Sequence, residues 1–275
     1  MNFFQALLLG IVQGLTEFLP VSSSAHLVIT PFLLGWSFPP EQILPFDTLV
    51  QLGTLAAVII YYWKDLWQII REFVTGLIQR KPFATPQARL GWLLILATIP
   101  AGLFGLLVKK LVEQAFQSVS ATGVFLLVTA ALLMLAERAG KRSRGSASLN
   151  WVDALWMGVA QAVSIFPGVS RSGATMTGGM LRDLDRPAAA RFSFLMSIPV
   201  MLAAGALEMK DVLEVPGLVS MLPAIAVGFL AAGVVGYLSI RWMLRFITTH
   251  SLRAFAVYCA GMGLLVILIN AVFVR

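Results

Sequence analysis

The sequence predicts an all-α polytopic membrane protein: an inverted-topology repeat, each repeat a re-entrant helical hairpin plus three transmembrane helices, with six full spans and two re-entrant regions in all. Three observations carry this. Of 275 residues, 59% are hydrophobic and only 12% charged, where ordinary soluble domains carry roughly a quarter charged. The charges fall in short blocks between apolar stretches, too few to cover the surface a water-soluble core of this length needs. Two interrupted apolar segments, one early in each half, also match each other. A soluble globular enzyme is excluded.

Residues 3–34 are apolar yet hold Glu17, Pro20, three consecutive serines and His26. Such a stretch reads as one interrupted crossing or as a hairpin that enters and leaves on the same side. A full span follows at 46–63, then a basic loop at 64–89, spans at 90–108 and 119–136, and the basic linker 138–150. Residues 151–181, with Pro167, Gly168 and Arg171, repeat the interrupted pattern. Spans at 192–207, 215–240 and 254–274 complete the chain. Most reach the roughly 17–25 residues that cross a hydrocarbon core as a helix; the fourth is short and draws on its flanks.

The segment GIVQGLTEFLPVSSS (Gly10 to Ser24) lies over GVAQAVSIFPGVSRS (Gly158 to Ser172) without a gap, at an offset of 148. Gly, Gln, Phe, Val and two Ser positions coincide, and three spans follow each copy. The single integral membrane domain, 1–275, therefore divides into repeat 1 (1–137), the linker 138–150 and repeat 2 (151–275).

Charge tests the topology. With both interrupted regions as hairpins, Lys64, Arg71, Arg80, Lys81, Arg89, Arg138, Lys141, Arg142, Arg144, Arg182, Arg186, Arg191, Arg241, Arg245 and Arg253 share one side. These 15 stand against four opposite, Lys109, Lys110, Lys210 and Arg275, with Arg171 left inside the membrane. The bias predicts a cytoplasmic basic side with both termini outside; full crossings would divide the basic loops between sides. Three crossings per repeat also invert the second copy, so the hairpin tips meet near the midplane. Backbone there must line a polar cavity or be buried in protein, because each unpaired N–H or C=O in lipid costs several kcal/mol.

The net charge of +7 reads as basic loops facing anionic lipid rather than nucleic acid, since no groove-reading module is present. Cys259 is the only cysteine, which excludes an intramolecular disulfide and a multi-cysteine metal site. The N-terminus lacks a signal-peptide pattern, so Met1 is expected to begin the mature protein. Trp63, Trp67, Trp92, Trp151 and Trp242 near span ends read as interfacial anchors.

Glu17, His26 and Arg171 are the ionisable residues outside loops and boundaries, and such groups are functional candidates by default. A structural ion pair between Glu17 and Arg171 is the competing account. PGVSRSGAT (Pro167 to Thr175) reads as an anion cradle. Gly168 and Gly173 permit close backbone approach, Ser170, Ser172 and Thr175 offer hydroxyls, and the following helix start points free N–H groups at an anion. Arg171 adds a fork suited to phosphate oxygens. The first tip mirrors this with Ser22, Ser23 and Ser24 ahead of His26. A diphosphate repels Glu17 unless the carboxyl is protonated, acts as a base, or is bridged by a divalent cation. Gln13, one turn before Glu17, positions a ligand or water but supplies no second carboxylate.

At these residues the chain resembles the bacterial undecaprenyl-diphosphate phosphatases, the bacitracin-resistance protein family. QGLTE (Gln13 to Glu17) is similar to its first signature, PVSSSAH (Pro20 to His26) to its serine–histidine stretch, and PGVSRSGAT to its second signature. The resemblance covers essentially the whole chain. It implies hydrolysis of C55 isoprenyl diphosphate to the monophosphate carrier used in peptidoglycan synthesis, at a site open to the outer side of the cytoplasmic membrane. It also implies a divalent cation, Mg²⁺ or Ca²⁺, held by Glu17 with substrate phosphates and with Gln13 in support. The essential glutamate, serine and histidine fall on Glu17, Ser23 and His26, and the phosphate-binding set on Ser170, Arg171 and Thr175. Gln13 departs from the second Glu of many relatives, which puts direct metal ligation there in doubt. Expected partners are the C55 lipid, membrane lipids and a second copy of the chain.

The attacking group is open among Ser23 with His26 as base, His26 itself, and water. Ser23 also has the plainer reading of a helix cap. A transporter or flippase of a phosphorylated isoprenoid lipid is the alternative from a different class, since broken helices meeting at midplane are a transporter plan. Phosphate release by purified protein, with transport assayed separately, distinguishes the two.

Overall fold

The computed structural model describes residues 1–116 and 118–273. Among them the chain is helical throughout, with no strand beyond one isolated bridge, Arg144 to Leu184. In order the helices are α1 (Phe3–Phe18), α2 (Ser23–Leu34), α3 (Pro40–Tyr61), α4 (Trp63–Ile78), α5 (Pro86–Phe116) and α6 (Val119–Ala139). The second half holds α7 (Trp151–Val163), α8 (Arg171–Leu181), α9 (Arg186–Leu213), α10 (Leu218–Thr249) and α11 (Arg253–Phe273). Six are long and apolar enough to cross a membrane: α3, α5, α6, α9, α10 and α11. The chain is a multi-pass membrane protein. The fourth span does extend through its flanks, to 28 residues.

Three boundaries differ from expectation. Residues 64–89 are not one loop, because α4 fills most of them. Its exposed side carries Trp63, Trp67, Ile70, Val74 and Leu77, at helical spacing, while Ile69 and Phe73 turn inward against Gly91 of α5. An exposed apolar stripe beside Lys64 and Arg71 suits a helix bedded in the membrane interface. Residues 109–116 continue α5 rather than forming a loop. Arg186, Arg191, Arg241 and Arg245 sit on helix ends instead of between helices. Arg275, counted on the sparse side, lies outside the described residues.

The matched segments are capped alike. Asn2 opens α1 and Asn150 opens α7, each through a reciprocal capping box, with Gln5 and Asp153 respectively. Ser22 caps α2 and Ser170 caps α8. Packing pairs off in the same way: α1 lies along α10 and α7 along α5, while α6 packs on α11 and α3 on α9. A Cβ on Gly10 would fall 2.3 Å from the Gly228 carbonyl oxygen, and one on Gly158 would fall 2.5 Å from that of Ala97. Gly123 and Gly263 face each other reciprocally across α6 and α11. Small residues let helix backbones approach this closely where lipid supplies no hydrophobic drive.

The basic end is tied together by ion pairs. Glu137, buried at the end of α6, takes Arg142 and Arg186 and accepts the N–H of Leu252 at 2.9 Å. Asp153 takes Arg144 at 2.6 Å and Arg182 at 3.1 Å. Burial works to raise the Asp153 pKa, but these arginines and the Asn150 N–H hold it below the ordinary carboxylate value. The linker is also stitched by backbone: Arg144 N–H donates to Asp183 O at 2.9 Å, and Asp185 N–H donates to Arg144 O at 2.8 Å. Arg191 pairs with Asp65 of α4.

Candidate active site

The first tip begins where Pro20 stops α1. Ser22 then adopts φ +70, a left-handed value that only surrounding structure holds for a non-glycine residue. Its Oγ accepts from Ala25 N–H at 3.3 Å and caps α2. With Ser22 as the cap, the Ser23 hydroxyl is released from that task and donates to Glu17 Oε2 at 2.5 Å. Gln13, one turn earlier on α1, donates to the same oxygen at 2.9 Å, and its amide lies 3.5 Å from Thr54 Oγ1 on α3.

The second tip is built against α6. Gly168 has φ +106, and a Cβ there would fall 2.5 Å from the Thr122 carbonyl oxygen, so both conformation and space require glycine. Thr129 donates to Gly168 O at 2.8 Å and accepts from Ser170 N–H at 2.9 Å. Ser170 Oγ accepts from Gly173 N–H at 3.1 Å, capping α8. Arg171, the first residue of α8, reaches across and donates to Glu17 Oε1 at 2.7 Å.

The tips touch directly. Gly168 N–H donates to Ser22 Oγ at 3.2 Å and Ser172 Oγ donates to Leu19 O at 3.0 Å. A Cβ on Gly173 would fall 3.4 Å from that of Pro20. The starts of α2 and α8 therefore converge, and both present backbone N–H groups with their positive dipole ends. Glu17 is the hub: one oxygen takes Arg171, the other takes Gln13 and Ser23. Among the described residues, the remaining guanidinium N–H groups of Arg171 have no partner, so the fork is open to an anion.

The structure thus brings Gln13, Glu17, Ser23 and Arg171 together, and the Glu17–Arg171 ion pair of the competing structural account is present at 2.7 Å. His26 is arranged differently. Its Nδ1 donates to Ser22 O at 2.7 Å, since a carbonyl can only accept. In the neutral ring Nε2 then accepts from Tyr258 O–H at 2.6 Å, and the two rings lie nearly parallel, 5.7 Å apart. Neither Ser23 nor Glu17 hydrogen-bonds the imidazole. Ser23 meets a carboxylate where a histidine was expected.

The other hydroxyls are engaged locally. Ser24 meets Ser22 Oγ at 3.1 Å and Ser170 meets Ser172 Oγ at 3.2 Å. Thr175, fully buried, donates to Arg171 O at 2.7 Å and meets Ser193 Oγ of α9 at 2.6 Å. In this geometry Ser170, Ser172 and Thr175 hold the turn that carries Arg171. Thr54, Thr129, Ser193 and Tyr258 escape a sequence reading. The one signal each offered was a hydroxyl within an apolar span.

For a divalent cation the protein offers the Glu17 carboxylate, the Ser23 hydroxyl and the free amide oxygen of Gln13. No group of three His, Cys, Asp or Glu side chains gathers among the described residues. Such a donor set fits a cation shared with substrate phosphates, the usual manner of Mg²⁺, and does not make a cage complete in itself.

Comparison with known proteins adds to this geometry. The family described as bacitracin resistance protein BacA matches residues 6–265. The chain is 43% identical over 278 residues to a Chlorobaculum tepidum protein named undecaprenyl-diphosphatase, covering 98% of each. It is 42% identical over 269 residues to a Myxococcus xanthus protein of that name, covering 98% of this chain and 89% of the other. A Methanosphaera stadtmanae protein, also so named, is 39% identical over 281 residues, covering 99% of each.

Proposed function

Because the chain belongs to the bacitracin resistance protein BacA family, we propose that it is an undecaprenyl-diphosphatase. It hydrolyses the C55 isoprenyl diphosphate to the monophosphate and inorganic phosphate, recycles the lipid carrier for peptidoglycan synthesis, and thereby confers bacitracin resistance. The observation that carries the mechanism is the arrangement at Glu17, with Ser23 on one carboxylate oxygen and Arg171 on the other.

Arg171 and the N–H groups at the starts of α2 and α8 hold the terminal phosphate. Ser23 Oγ attacks its phosphorus while the hydroxyl proton passes to Glu17 Oε2. The bond to the bridging oxygen breaks, and the lipid monophosphate leaves with the electron pair. Water then attacks the phosphoserine. Glu17 returns its proton to Ser23 Oγ, and the water's protons leave with inorganic phosphate. Preorganised donors at such a site stabilise charge that develops in the transition state. His26, held by Ser22 O and Tyr258, orients the start of α2. A divalent cation held by Glu17 and Gln13 would add positive charge against the diphosphate.

The fold is read as an inverted repeat of two re-entrant hairpins, supported by the matched caps and the paired helix contacts. The 15-to-4 basic split supports termini outside and a site facing outward. Rapid quench with labelled diphosphate tests the chemistry, with mass spectrometry to map any adduct and chelation with metal add-back as a second arm. A phosphoryl group on Ser23 is expected. An adduct on His26, or none with Ser23→Ala near wild-type turnover, refutes the serine step. Full activity after metal is stripped refutes the cation.

A further inference from the structure

A cleft of about 560 Å³ lies at the C-terminal end of α10, and no hairpin-tip residue lines it. Tyr237, Arg241, Arg245 and Thr248 fall on one face of α10 by their spacing, and Tyr61 at the end of α3 closes the other wall. The Tyr61 and Tyr237 rings are 5.5 Å apart.

The arginines of this cleft stand outside the ion-pair networks that tie helices together at the basic end. Arg142 and Arg186 are neutralised by Glu137, Arg144 and Arg182 by Asp153, and Arg191 by Asp65. Among the described residues, the side chains of Arg241 and Arg245 have neither an ion pair nor a hydrogen bond. They do not cap α10 either; the Phe246 carbonyl is taken by His250 N–H. Two uncompensated guanidiniums one turn apart, with tyrosines beside them, present the donors that phosphate oxygens take.

The surroundings indicate where that phosphate comes from. Trp242, between the two arginines, is half exposed, and Trp63 beside α3 is 60% exposed. Both mark headgroup depth. Toward the middle of α10, Val234 and Leu238 are exposed and form a wall for acyl chains. Basic pockets between spans bind anionic headgroups in this manner. We propose that this cleft binds an anionic phospholipid, with its phosphodiester held by Arg241 and Arg245 and its acyl chains lying along Val234 and Leu238.

Native mass spectrometry of the full-length protein in non-ionic detergent, titrated with phosphatidylglycerol, tests this. Arg241→Gln/Arg245→Gln should weaken retention about twenty-fold, and Arg245→Gln alone about fivefold. The charge-matched pair Arg71→Gln/Arg80→Gln, outside the cleft, should bind like wild type. Phosphate release by each variant reports its folding, and the single variant carries the test if the double fails that check. Equal retention by the cleft variants overturns the site. An equal loss in the control pair overturns it as generic charge. Displacement of the lipid by inorganic phosphate at matched concentration overturns the lipid source.

Discussion

Two adjacent serines divide into one that caps a helix and one that is the proposed attacking group. Ser22 Oγ caps α2 and accepts from Gly168 N–H of the opposite tip, so Ser22→Ala should cost about 1 kcal/mol of stability, read as a lower melting temperature in detergent. Ser23 Oγ makes its bond to Glu17 alone. Ser23→Ala should therefore leave melting nearly unchanged and lower turnover about 10³-fold or more. The reverse pattern would exchange their roles. Arg171 allows a sharper test of geometry than of charge. Lysine keeps the positive charge but loses the fork, so it does not fix Glu17 and a phosphate oxygen in the same planar, bidentate geometry. Arg171→Lys should lose about 10²-fold in kcat, measured on protein whose melting temperature shows it folded. Wild-type turnover by that variant would mean that charge alone suffices.

Between helices, glycine sets the spacing of the hairpins. A methyl at Gly10 or Gly158 meets backbone carbonyls at 2.3 and 2.5 Å, and backbone does not yield as a flexible side chain does. Gly10→Ala and Gly158→Ala should each destabilise by about 1–3 kcal/mol. Gly102→Ala, with nothing within 4 Å, should be neutral or stabilising because alanine favours the helix. Thermal unfolding of the three variants checks the order. The six spans were legible because apolar length is a direct physical requirement of crossing lipid. The two tips were legible because Pro, Gly and clustered hydroxyls interrupt that length. Helix α4 was not, because Lys64 and Arg71 read as loop charge and its apolar residues from Trp63 to Leu77 are too broken by charge to make a span. Tyr258 and Thr129 were hidden for another reason. A hydroxyl in an apolar span acquires meaning only when a distant residue, His26 or Gly168, is brought against it.

Over the whole molecule, the halves are joined by charge at one end and by the tips within. Asp153 sits below the ordinary carboxylate value in the folded protein, so its contribution is full above that range. It is lost as pH falls through the lower folded value, from about pH 4 downward. Asp153→Asn should cost about 2 kcal/mol at neutral pH, less than a fully buried pair because its arginines reach water. It should also flatten the acid limb of a melting-temperature profile; an unchanged limb would assign acid sensitivity elsewhere. Orientation is tested by single cysteines at Ser143 and Glu214 in a Cys259→Ala background. Impermeant reagent added to whole cells should label Glu214→Cys and spare Ser143→Cys, and the opposite result would turn the molecule over. The matched tips have one more consequence, visible in the bonds to Glu17 from Ser23 and Arg171. On the proposed duplicated plan positions 23 and 171 are equivalent, yet one is a serine and the other an arginine. A two-fold pair made from either half alone would face serine with serine, or arginine with arginine, and never one with the other. Under the proposed mechanism, carrying both copies in one chain lets equivalent positions differ, one as attacker and the other as anion holder.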